Sequence, residues 1–192
     1  MTTCFSHFGA FSLMCFGVCI SISPALASAE CARYGRPSYT AERTVEIAGH
    51  TIQSKVIITP QYEREELTIN GRAEIRLVSP GRIISYNLED NTGIAQTAPP
   101  PPRPAKDKVR IREQDQNGAK VVSIELVDDK GAWNEIARST CRNDGVLLEK
   151  TFAIPQRGGG GIQMGHMTQN VISMGPPDPN LFKVPAQVRI KR

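Results

Sequence analysis

The chain has 192 residues, a formal net charge of +4, 40% hydrophobic and 22% charged residues. Once an exported leader is set aside, that length suits one domain and is short for two. Positive and negative side chains alternate instead of clustering, which excludes the one-signed, aromatic-studded patch of a nucleic-acid binder.

Residues 1–29 read as a signal peptide. An apolar run from Phe8 to Ile22 precedes Pro24 and the small-residue pattern Ala27-Ser28-Ala29, so cleavage is expected between Ala29 and Glu30. The run is shorter than the ~20 apolar residues of a spanning helix. Glu30 directly before Cys31 is foreign to lipoprotein attachment. The expected product is a soluble periplasmic domain over residues 30–192, read as a monomer. Of five cysteines only Cys31 and Cys141 lie outside the leader. In an oxidising compartment they most simply form one disulfide; the alternatives are buried free thiols or a reactive cysteine.

Strands begin near Tyr39. Val45 and Ile47 alternate with Thr44 and Glu46, and Ile52, Ser54, Val56 and Ile58 alternate with Gln53, Lys55 and Thr59. This period of two sends successive side chains to opposite faces of an antiparallel sheet. Ala48-Gly49-His50 reads as the first turn. Tyr62 to Ile69 is the next strand, its Glu63-Arg64-Glu65-Glu66 run read as solvated surface. Asn70-Gly71, the strongest short hairpin signal, leads into Ala73, Ile75 and Leu77. Pro80-Gly81 turns into a strand with Ile84, Tyr86 and Leu88 on one face.

Residues 91–106 contain Pro99 to Pro102 and Pro104, and are expected to form a polyproline-like surface loop. Sheet resumes at Val109 to Arg112, turns at Asn117-Gly118, and continues through Val121 to Val127 with Val122, Ile124 and Leu126 on one side. The only tryptophan, Trp133, follows the next turn. Asn134 to Cys141 reads equally as strand or short helix. Val146, Leu148 and Phe152 are assigned one face of the next strand, and Gly158 to Gly161 form a tip. Gln163 to Met174 and Phe182 to Ile190 close the chain as strands. The count is roughly nine to eleven, at a spacing that favours a curved or closed sheet.

No catalytic constellation emerges: no GxSxG elbow, no HExxH and no CxxC. His50 and His166 lack the partners of a metal site, and neither a metal nor a cofactor is expected. The protein is therefore read as non-enzymatic. Met164, Met167 and Met174 suit core filling better than a pocket. The basic end, Arg189, Lys191 and Arg192, reads as a solubilising tail, with peripheral contact with anionic lipid headgroups of a membrane as the alternative.

The segment Ile172-Ser173-Met174-Gly175-Pro176-Pro177-Asp178-Pro179-Asn180-Leu181-Phe182-Lys183-Val184-Pro185 resembles the ending of uncharacterised bacterial periplasmic domains related to the LolA/LolB-like half-barrel. The Asn117-Gly118 turn and the Asn143-Asp144-Gly145 hairpin fit that family too. The resemblance implies a mainly β fold, a single antiparallel sheet curved into a half-open barrel with little helix. It also implies an apolar concave face that holds a lipid or lipoprotein acyl chain. The family's Gly-Tyr after the last proline is here Ala186-Gln187, and no amphipathic lid helix is evident. On this reading Ile75, Leu77, Ile84, Tyr86 and Leu88 line a pocket, with Trp133 near its rim. The rival reading is an envelope interaction protein whose core is simply filled.

Overall fold

A computed structural model describes residues 30–98, 108–155 and 161–191. Twelve strands make one sheet among them: β1 (Tyr39–Ile47), β2 (His50–Ile58), β3 (Glu63–Ile69), β4 (Arg72–Ser79), β5 (Arg82–Asn87), β6 (Thr92–Thr97), β7 (Val109–Gln116), β8 (Ala119–Val127), β9 (Trp133–Cys141), β10 (Leu147–Pro155), β11 (Ile162–Met174) and β12 (Arg189–Lys191). The spatial order is β12-β6-β5-β4-β3-β2-β1-β11-β10-β9-β8-β7. β1 thus joins two meanders, pairing with β2 on one side and β11 on the other. Among the described residues there is no α-helix, and the helical elements are 3-10 turns at Cys31–Arg33 and Pro179–Phe182. The sheet is open, with β12 and β7 at its edges.

Three hairpins turn on two residues of positive φ: Ala48-Gly49, Asn70-Gly71 and Asn117-Gly118. Such turns match the right-handed twist of the strands they join. Register then fixes the faces. Tyr39, Ala41, Arg43, Val45, Val56, Phe152 and Met167 share one face and are all buried. Among the described residues the layer over that face is limited to the short segment around Cys31, so the curl of the sheet itself must bury most of it. We call this the inner face.

Several sequence expectations are corrected here. The segment after Asn91 is sheet, because Thr92–Thr97 pairs with β5. Its Gly93 lies under Tyr86, where a Cβ would come 2.7 Å from the Tyr86 Cβ, so the strand lacks the alternation that announces one. The prolines from Pro99 to Pro104 lie outside the described residues, as do the leader and most of the Gly158 to Gly161 tip. Residues 134–141 are strand. A bulge between Leu147 and Glu149 shifts the phase of β10, so Leu147 joins Phe152 in the core and Leu148 is only half buried. Phe182 to Ile190 is not a strand. Asp178 caps a 3-10 turn by accepting from the Asn180 N–H at 2.9 Å. The chain then crosses the outer face and adds just Arg189–Lys191 to the edge, parallel to β6. Prolines at 176, 177, 179 and 185 deny that stretch the donors of a sheet ladder.

Candidate functional site

The six residues expected to line a pocket fall in three places. Ile75 opposes Tyr86 and Leu77 opposes Ile84 across β4 and β5, so these four do come together. They lie on the outer face, however, and the end of the chain covers them: Val188 is buried in their cluster, with Val184 and Ile190 packed against it. Arg64 fastens this cover, donating to the Leu181 carbonyl at 2.7 Å and to the Tyr86 hydroxyl at 3.2 Å. Leu88 lies just past β5 and is exposed. Trp133 does not rim this cluster. It starts β9, six places from β4 in the sheet, or about 29 Å along it at ~4.8 Å per strand. There the Arg110 guanidinium stacks 4.5 Å from its ring centroid, a cation–π contact on the outer face.

Ile75 and Leu88 share one further feature. Both line a surface cavity of about 680 Å³, whose other walls include Glu42, Lys55 and Glu66.

The apolar surface of the inner face lies elsewhere. Ile111 opposes Ile124, Ile124 opposes Ala137, Ala137 opposes Phe152, and Phe152 opposes Gly165, a row that crosses β7, β8, β9, β10 and β11 at right angles to the strands. The Phe152 ring occupies the space above Gly165, where a Cβ would meet it at 2.6 Å. Ile47, Ile52 and Ile154 extend the same cluster and are half buried, as is Ile124, while Ile111 is 50% exposed. Tyr34 packs against the cluster and donates to Glu113 at 2.9 Å.

Beside this row the inner face is ionic. Arg43 donates from Nη1 to Glu63 at 2.7 Å and to Glu65 at 3.4 Å. Arg76 also reaches Glu65, at 3.2 Å, and Ser54 donates to it at 2.9 Å. With its amide turned to satisfy both ends, Gln169 accepts from Arg43 Nε at 3.1 Å and donates to the Tyr39 hydroxyl. Burial alone would disfavour the Arg43 charge, yet the Glu63 and Glu65 carboxylates outweigh it and hold the guanidinium charged. Burial likewise opposes the Glu65 carboxylate, but Arg43 and Arg76 bring its pKa below the usual value. The Tyr39 hydroxyl is pushed up to about 12, chiefly by burial. A second buried pair joins Glu30 to Lys150 at 3.0 Å, with Ser139 donating to the same carboxylate.

These ions correct the reading of Glu63 to Glu66 as uniformly solvated: Glu63 and Glu65 point inward, and Arg64 and Glu66 pair with each other on the outer face. A signal was present. Arg43 falls in phase with Tyr39, Ala41 and Val45, and Lys150 in phase with Phe152, so each charge sits on an apolar beat. Cys31 and Cys141 are bonded, with Cα atoms 5.5 Å apart and 110 residues between them in sequence, which ties the start of the described chain to β9. Of the methionines, Met167 is core, whereas Met164 and Met174 are exposed. His166 contacts Glu149 at 2.8 Å on the surface. No group of three metal-ligating side chains occurs among the described residues, and none of their helices is long and apolar enough to cross a membrane.

A disulfide-tied, open half-barrel of antiparallel strands is the class these features define. No family model and no curated protein matches the chain. Solved structures do. An uncharacterised conserved protein from Thermus thermophilus superposes with a TM-score of 0.56 at 11% identity, covering 88% of this chain and 99% of that one. A LolA superfamily protein from Nitrosomonas europaea gives 0.39 at 10% identity, over 84% of this chain and 97% of its own. A putative outer membrane lipoprotein-sorting protein domain from Vibrio parahaemolyticus gives 0.32 at 12%, over 86% and 100%. At such identities the likeness concerns the fold alone, and the Thermus thermophilus protein carries it.

Proposed function

We propose that the protein is an exported, non-catalytic carrier that holds a lipid or other apolar chain along the inner row from Ile111 to Phe152, with Ile47, Ile52 and Ile154 beside it. The observation that carries this reading is the row itself: apolar side chains on adjacent strands of the curled face, exposed at Ile111, half buried at Ile124 and buried at Ala137 and Phe152. An acyl chain laid across it would be held by burial at roughly 25 cal/mol per Å² without a charged anchor. The disulfide supports export, since such bonds persist in oxidising compartments. The residues first expected to bind, Ile75, Leu77, Ile84 and Tyr86, would be reached only by lifting the chain end that covers them.

The rival, an envelope interaction protein with a filled core, draws support from the buried ion pairs that occupy the middle of the inner face. Binding of a fluorescent fatty acid separates the two. Saturable binding that Ile111→Asp weakens tenfold or more supports the carrier, and an empty organic extract of native protein with no saturable binding supports the rival.

A further inference from the structure

The outer-face cavity has a chemistry unlike that of the inner row. Two cross-strand rungs form its floor. In one, Glu42 opposes Lys55, Lys55 opposes Glu66, and Glu66 opposes Ile75. In the other, Thr44 opposes Gln53, with Thr68 on the next strand along. Glu42, Gln53, Lys55 and Thr68 are exposed, so their polar groups face the opening. The volume of about 680 Å³ falls within the usual range for ligand sites. From β1 to β4 the floor spans three strand spacings, about 14 Å.

We propose that this groove binds a segment of oligosaccharide. Its floor offers hydroxyls, an amide, carboxylates and an ammonium in one surface, which together donate to and accept from a hydroxyl-rich ligand. The charges balance, Glu42 and Glu66 against Lys55 and Arg64, so an anion gains nothing there. An acyl chain would have to desolvate those same charges, at a high cost. At one end the exposed Leu88 supplies a small apolar edge, suited to the C–H face of a sugar ring or an acetamido methyl. The groove lies on the opposite face of the sheet from the Ile111 to Phe152 row, so the two sites are independent.

The test is titration of the disulfide-bonded full chain with chitohexaose and with maltohexaose, followed by amide chemical shifts in NMR. At least one sugar should shift β1, β2 and β3 resonances saturably at millimolar concentration or below. Gln53→Leu and Thr44→Val should each weaken that binding about tenfold, while Tm and fatty-acid binding stay unchanged. Three results overturn the proposal: shifts with neither sugar, shifts confined to other strands, or equal binding by the variants. Shifts in β1 to β3 produced by a polar peptide of mixed charge but by neither sugar would assign the groove to a peptide and overturn it too.

Discussion

Replacing Arg43 by Met keeps an unbranched side chain in place and removes the cation between Glu63 and Glu65. Arg43 is 7% exposed and holds Glu63 at 2.7 Å and Glu65 at 3.4 Å. Glu65 keeps Arg76 and Ser54, but Glu63 loses the ion pair that holds it. Breaking a buried pair from one side costs about 3–5 kcal/mol. For a chain of this size that is a drop in Tm of roughly 6 to 20 °C. The pH dependence gives the mechanism. In the native protein the folded pKa of Glu65 is depressed, so its contribution is present above the unfolded value of ~4.3 and lost as pH falls through the lower folded value. In the variant that depression weakens, and protonation relieves the remaining strain. The deficit relative to the native protein is therefore full at pH 7.5 and narrows below about pH 4.3, toward pH 3. Urea unfolding of both proteins at the two pH values measures it, and the triple variant Arg43→Met, Glu63→Gln, Glu65→Gln should recover most of the loss. A deficit under about 1 kcal/mol, or one equal at both pH values, refutes the account of the network.

Reducing the Cys31–Cys141 bond, or replacing both cysteines by Ala, should cost about 2–5 kcal/mol, read as a lower Tm in reductant that the variant does not show. Tyr86→Ala should cost about 3–5 kcal/mol, because Tyr86 is 2% exposed beneath Val188; urea unfolding checks it. Ala48→Asn should stabilise by roughly 0.5–1 kcal/mol, since Ala48 sits at φ 55 where Asn is better tolerated, and thermal melts report the gain. Trp133 emission should stay constant as fatty acid saturates the protein, because its ring lies on the outer face against Arg110.

Much of the architecture was legible because strands and turns leave local marks. The alternation from Val45 to Ile58, the two Asn-Gly turns and the β-branched run from Val121 to Val127 all became the elements they announced. Thr92–Thr97 was hidden because its packing position demands Gly93, and the chain end was misread because its apolar residues serve as a cover instead of a strand. The pocket residues show the deeper limit. Periodicity shows which residues share a face, so Ile75, Leu77, Ile84 and Tyr86 were correctly grouped, but it does not show which face the sheet curls toward. That depends on β1 pairing with β11 across more than a hundred residues, and on where the chain end comes to rest. Arg43 and Lys150 were visible as charges on apolar beats, and only the fold brings Glu63, Glu65 and Glu30 to meet them.

The most direct test of the carrier reading is photo-crosslinking with a diazirine-bearing fatty acid, followed by peptide mass mapping of the disulfide-bonded protein. Adducts are predicted within residues 109–126 and 147–154, the strands that carry Ile111, Ile124, Phe152 and Ile154. Adducts concentrated between Ile75 and Leu88, or none above a detergent-competed background, would contradict it.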